Sequence, residues 1–194
     1  MNDFSAFRLL NRLAFSQALN ILRIDGRQKI TDFDSSKPIS TPAAKSFLAD
    51  KFSSGILGPE MFYQLQSEEE KRMFEAHWHT DKDVDSPLWR KVAPKQDSNG
   101  NWLVVRTFRT VGDTDTPDLS RPLPYDLVET TPALDIWSIG ALIYLFLVRE
   151  TLVPCSYDDD CVNGDAMATL CHWDDGITRQ RLARVDDLGA RDLL

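Results

Sequence analysis

The sequence predicts a mainly α-helical domain with a small β component (α+β), on three observations. After Thr131-Pro132 the run LDIWSIGALIYLFLV is apolar on nearly every face, as expected of a helix buried in the middle of a domain. Residues 60–79 have helical character, first in EMFYQL and then in SEEEKRMFEAHWH, where Ser67 and Glu70 stand at capping-box spacing. Strand-type composition is confined to short stretches, around Asp25-Gly26 and in WLVVRTFR after the turn residues Asp97–Gly100.

Composition bounds the answer. A chain of 194 residues supports one main domain with an insertion, and 42% hydrophobic with 27% charged residues are ordinary globular values. The net charge of -8 disfavours nucleic acid, because affinity for polyphosphate rests on clustered Lys and Arg. Three cysteines, an odd number with no secretory leader before them, lead us to expect an intracellular, cytoplasmic chain. The run Ile136–Val148 is shorter than the ~20 apolar residues of a membrane span, so no membrane role is expected.

In chain order, residues 1–19 place Phe4, Phe7, Leu9, Leu10, Leu13 and Phe15 at roughly helical spacing, with Arg8 and Arg12 on another face. Next, the runs flanking Asp25-Gly26 read as a hairpin, since both residues tolerate the positive φ of a type I′ turn. A two-residue loop there sets Asn20 opposite Thr31 and diagonal to Asp32, so two oxygen-bearing side chains converge at the open end. Residues 35–58, rich in Ser, Thr, Pro, Ala and Lys, read as a loop whose hydroxyls (Ser40, Thr41, Ser53, Ser54) face solvent. A linker follows at 112–126, and beyond residue 150 acidic loops alternate with short helices such as AMATLCHW.

Five segments stand in order: Asn20-Ile21-Leu22, Ile30-Thr31-Asp32-Phe33-Asp34, Gly58-Pro59-Glu60, Asp135-Ile136-Trp137-Ser138-Ile139-Gly140, and Ala190-Arg191-Asp192-Leu193-Leu194. Each is weak alone. Their order and spacing resemble the C-terminal lobe of eukaryotic protein kinases, serine/threonine or tyrosine-kinase-like, over about residues 13–62 and 130–194. The resemblance implies a division into an amphipathic segment (1–18), a catalytic-loop remnant with hairpin and activation segment (19–62), an unusually long insertion (63–126), and a central helix with further helices (127–194). It implies ATP and Mg²⁺ as ligands, with Asn20 and Asp32 as the metal-holding pair, which suits the hard oxygen donors Mg²⁺ prefers. Phe33, Glu60, Asp135, Trp137 and Gly140 would be structural. By the same resemblance Asp135 would bond backbone near residues 13–15, and Glu60 would pair with an arginine beyond ARDLL.

Departures from that pattern are chemical. Leu13–Asn20 reads LAFSQALN where the family has His-Arg-Asp-Leu-Lys-Pro-x-Asn. Phe15 stands at the catalytic aspartate position, and a phenyl ring neither accepts nor orients a proton. Gln17 stands at the lysine position and removes a cation from an electrostatically driven step. Ala14 replaces the arginine that would grip a phosphorylated loop, and Asp34 replaces the glycine of Asp-Phe-Gly. No Gly-rich loop precedes, and nineteen residues before Asn20 cannot supply the ATP-clamping N-terminal lobe. The expectation is therefore a catalytically silent kinase-like fragment, a pseudokinase or truncated kinase, binding MgATP at millimolar level or not at all. Two competing readings are an active protein kinase in complete form, and a non-enzymatic scaffold offering Trp78, Trp89 and Trp102 of residues 63–126 to a protein partner.

Three other clusters carry weaker chemistry. Cys155, Cys161, Cys171 and His172 lack the short C-x2-4-C knuckle of a structural zinc site. His77 and His79 flank Trp78 on different helix faces and read as surface or partner contacts. Asp158-Asp159-Asp160 lacks the alternating ligands of a calcium loop and reads as a solvated turn.

Overall fold

The computed structural model describes residues 21–30, 39–41, 44–48, 51–79, 86–110, 117–118 and 120–194. Within them the chain is mixed α/β, with six α-helices, a two-stranded hairpin and a three-stranded antiparallel sheet. Strands β1 (Ile21–Ile24) and β2 (Arg27–Ile30) pair from Ile21↔Ile30 to Ile24↔Arg27, the register a two-residue loop imposes. Asp25 (φ 51°) and Gly26 (φ 75°) both sit in the left-handed region. That is the type I′ turn expected from the dipeptide.

The expected helix at EMFYQL is not formed. Pro59–Met61 makes one 3-10 turn, and Phe62–Leu65 then extends as β3. Its partner is β5 (Trp102–Val105), in the register Phe62↔Val105 to Leu65↔Trp102. Partner pairing decides here: Phe62 and Leu65 are buried, and short apolar runs do not distinguish helix from strand by period. The small hairpin around Asp97–Gly100 is present, β4 (Lys95–Gln96) lying on the other side of β5.

Helix α1 (Glu68–His77) opens on Ser67, whose hydroxyl accepts the Glu70 N–H at 3.1 Å. The reciprocal arm is displaced by one residue, since Glu70 Oε2 accepts the Gln66 N–H at 2.7 Å. Tyr63 also donates to the Glu70 carboxylate at 3.3 Å, which ties β3 to the helix start. A short α2 (Pro87–Val92) precedes β4.

Helix α3 (Pro132–Val148) has proline in its first turn, as expected, but Thr131 makes no side-chain cap bond. Nor is it central. Leu134, Ser138, Ala141, Leu142 and Tyr144 are buried, whereas Ile136 is 69%, Phe146 50% and Leu147 42% exposed. Composition overstated the burial of α3, because an all-round apolar helix has no polar face to reveal which side meets solvent.

Three shorter helices follow, α4 (Gly164–Cys171), α5 (Asp175–Leu182) and α6 (Leu188–Leu193). Each begins at a capping side chain: Asn163 accepts from Ala166 N–H, Asp174 from Ile177 N–H and Asp187 from Ala190 N–H, at 3.0, 2.7 and 2.9 Å. Such caps satisfy donors that the first helical turn leaves open.

A single hydrophobic cluster joins Leu48, Phe52 and Leu57 to Phe74, Trp78, Leu103, Val104, Tyr125, Leu134 and Leu170. Residues 63–126 thus share their core with the flanking segments, and the boundary expected between residues 62 and 63 runs through β3. Tyr125, in the expected linker, is buried and donates to the Thr107 carbonyl at 2.9 Å. Burial pushes its hydroxyl pKa far up. No helix among the described residues is long and apolar enough to cross a membrane.

Candidate functional site

The loop before β3 meets the far half of the chain through buried hydroxyls. Ser53 and Ser54, expected in solvent, are 5% and 4% exposed. Ser54 N–H and Oγ–H both donate to Asp160 Oδ1, at 2.8 and 3.0 Å, and Ser54 Oγ accepts the Cys161 N–H at 2.8 Å. Gly55 N–H donates to the Asp159 carbonyl at 2.7 Å. The acidic triplet is therefore a docking turn and not a solvated one. Asp159 sits at φ 58°, and burial, with Asp160 and Asp158 nearby, raises its carboxyl pKa.

Next to this clip, Ser138 of α3 is 1% exposed and shares its hydroxyl proton between the Ile56 carbonyl and the Leu134 carbonyl, each at 3.0 Å. The Asp-x-Trp-Ser-x-Gly helix and the segment leading into Gly58-Pro59-Glu60 are thus in direct contact across 82 residues. Asp135 lies half-buried in the first turn of α3. Asn20, Asp32, Phe33, Phe15 and Gln17 lie outside the described residues, as does the backbone near residues 13–15 that Asp135 was expected to bond.

Glu60 is exposed, and its carboxylate folds back over Gly58, where a Cβ would lie 2.5 Å from Oε2. It lines an open polar cavity of about 590 Å³ with Tyr63, Gln64, Arg106, Cys171 and His172. Arg106 stands over the Tyr63 ring at 5.3 Å, its Nε buried without a hydrogen-bond partner. Yet Glu60 and Arg106, which share this wall, form no ion pair. His172 Nε2 is 3.0 Å from Gln64 Oε1, and burial raises the Cys171 thiol pKa.

Trp137 and Gly140 line a different cavity, apolar and about 310 Å³, between α3, Leu152, α5 and Leu194. The Trp137 and Trp173 indoles meet edge to face, with centroids 5.1 Å apart at 86°. Trp173 Nε1–H is satisfied by Thr178 Oγ1 at 2.9 Å. Trp137 Nε1 and Arg181 Nε, on two residues that also border the cavity, are buried with no hydrogen-bond partner, whereas the Tyr144 hydroxyl lies in reach of Arg184. An unmade bond at a buried polar group costs about 1–3 kcal/mol, so two beside one cavity are a concentrated deficit.

The remaining clusters separate. Cys155 and Cys161 face one another across an isolated β-bridge as free thiols, Cys161 pushed up to about 12 by burial, while Cys171 belongs to the polar cavity. Among the described residues no group of three or more His, Cys, Asp or Glu could hold a metal ion. His77, expected at the surface, is 1% exposed, and Trp78, expected to face a partner, is fully buried. Phe74, His77 and Trp78 stand at i, i+3 and i+4, a spacing that marks one inward helix face and could have located both. Arg106 and Arg181 carried no local signal, since the groups that surround them come from distant segments.

No family model, no curated protein and no solved structure matches the chain.

Proposed function

We propose that the chain is a protein-kinase-like C-terminal lobe that does not transfer phosphate. The observation carrying this reading is the buried Ser138 bond to the Ile56 carbonyl, which joins one kinase-like segment, Asp135–Gly140, to the stretch just before another, Gly58-Pro59-Glu60. This contact between stretches 82 residues apart is compatible with the arrangement the resemblance implies. The β1–β2 register adds support, since Ile21 and Ile30 stand opposite one another at the open end of the hairpin.

Asn20 and Asp32 supply two hard oxygen donors, the number Mg²⁺ commonly takes from protein beside phosphate oxygens, and they would hold the metal. MgATP, when bound, would bring a transferable phosphoryl group. Phe15 cannot orient or deprotonate an acceptor hydroxyl, and Gln17 offers a dipole in place of a cation. The expected result with radiolabelled ATP and purified protein is no transfer to any acceptor, with calorimetric MgATP affinity millimolar or weaker. Transfer that Asp32→Ala abolishes would overturn the proposal.

A second reading, a non-enzymatic protein-interaction scaffold, is favoured by the exposed apolar residues Ile136, Phe146 and Leu147 on α3. Trp78 plays no direct part in it, being fully buried. If Ile136→Glu and Phe146→Glu leave partner capture from the native cell extract unchanged, that reading fails.

A further inference from the structure

We propose that the apolar cavity beside α3 is a binding site for an aromatic carboxylate. Its shape and lining set the ligand's body. At about 310 Å³ it lies at the lower end of small-molecule sites and suits one bicyclic ring system. The perpendicular indoles of Trp137 and Trp173 form an aromatic corner, against which a further ring packs with favourable edge-to-face or offset geometry. Ala141, Leu152 and Leu182 close the rest with aliphatic surface.

The ligand's head group follows from the orphaned donors. Trp137 Nε1–H and Arg181 Nε–H are both buried without hydrogen-bond partners. Trp137 and Arg181 offer only donors, so the missing group is an acceptor. Arg181 is permanently cationic, and no carboxylate among the described residues forms an ion pair with it. A planar anion answers both needs, with a carboxylate matching the guanidinium fork. The other nearby arginine, Arg184, is already paired with Glu150 at 2.6 Å. Both donor atoms have almost no exposed surface, so binding turns the Arg181 head toward the ligand while the Trp137–Trp173 corner stays in place.

Gly140 provides the control. A Cβ there meets only the Leu194 Cδ2 at 4.0 Å, so a larger side chain grows into the cavity from an intact helix. Titrating the 194-residue chain with naphthoate, we expect saturable quenching of indole fluorescence. Neutral naphthylmethanol binds about tenfold more weakly, the worth of one charge-assisted bond. Arg181→Met lowers naphthoate affinity to that of the neutral analogue, and Gly140→Leu abolishes binding while the circular dichroism spectrum is retained. No saturable quenching by naphthoate, equal affinity for naphthoate and naphthylmethanol, or undiminished binding in either variant overturns the proposal. Octanoate binding as tightly as naphthoate would overturn the aromatic assignment. Should Gly140→Leu fail to fold, the Arg181→Met comparison decides alone.

Discussion

His77 has Nδ1 3.0 Å from the Arg121 carbonyl and accepts the Arg109 N–H at Nε2, at 3.1 Å. A ring accepting at Nε2 carries its proton on Nδ1, so the neutral form satisfies both contacts and the imidazolium loses one. Burial accordingly lowers its pKa, outweighing the opposing pull of the Arg121 carbonyl and Asp118. The unfolded ring takes a proton near pH 6.5 and the folded ring only at lower pH, so stability present above about 6.5 is lost as pH falls through the folded value. The denaturation midpoint should therefore drop between about pH 7 and 5, and more steeply than in His77→Gln. Equal slopes in the two proteins would refute this assignment. The neighbouring Trp78 packs on Phe74 at 6.3 Å between centroids. Trp78→Ala should cost about 3–5 kcal/mol in urea unfolding, and Trp78→Phe much less, since the indole N–H has no partner to lose.

Among the elements, the clip between Ser53–Gly55 and Asp158–Cys161 holds the loop before β3 against a segment more than a hundred residues away. Ser54→Ala removes a hydroxyl that both donates and accepts, leaving the Cys161 N–H without its acceptor. A loss of about 1–3 kcal/mol is expected by chemical denaturation. The start of α4 is equally constrained, because any side chain at Gly164 would overlap the Gln96 carbonyl. Gly164→Ala, a helix-favouring change by propensity, should instead destabilise by about 1–3 kcal/mol. An unchanged or raised midpoint would show that β4 can retreat. The type I′ hairpin, the α1 cap and the helices after residue 163 were legible because turns and caps are chosen by residues within four positions of one another. β3 was not, because EMFYQL suits helix and strand alike until β5 supplies its partner.

For the molecule as a whole, the exposed face of α3 governs behaviour in solution. Ile136, Phe146 and Leu147 stand outside the buried core cluster, so Ile136→Glu with Phe146→Glu should leave the thermal midpoint within a few degrees. The same pair should reduce concentration-dependent association in sedimentation velocity, and a large fall in the midpoint would mean that this face is packed after all. From the sequence alone came the hairpin and its register, the Ser67 cap, the apolar helix at Pro132–Val148 and the candidates Glu60, Asp135, Trp137 and Gly140. Tertiary structure alone decided that residues 63–126 share one core with the flanking segments, that His77 and Trp78 are interior, that the acidic triplet is a clasp, and that Trp137 borders a cavity with unmet donors. Local chemistry sets turns and caps, whereas burial and hydrogen-bond satisfaction depend on groups brought together only when distant stretches of chain pack.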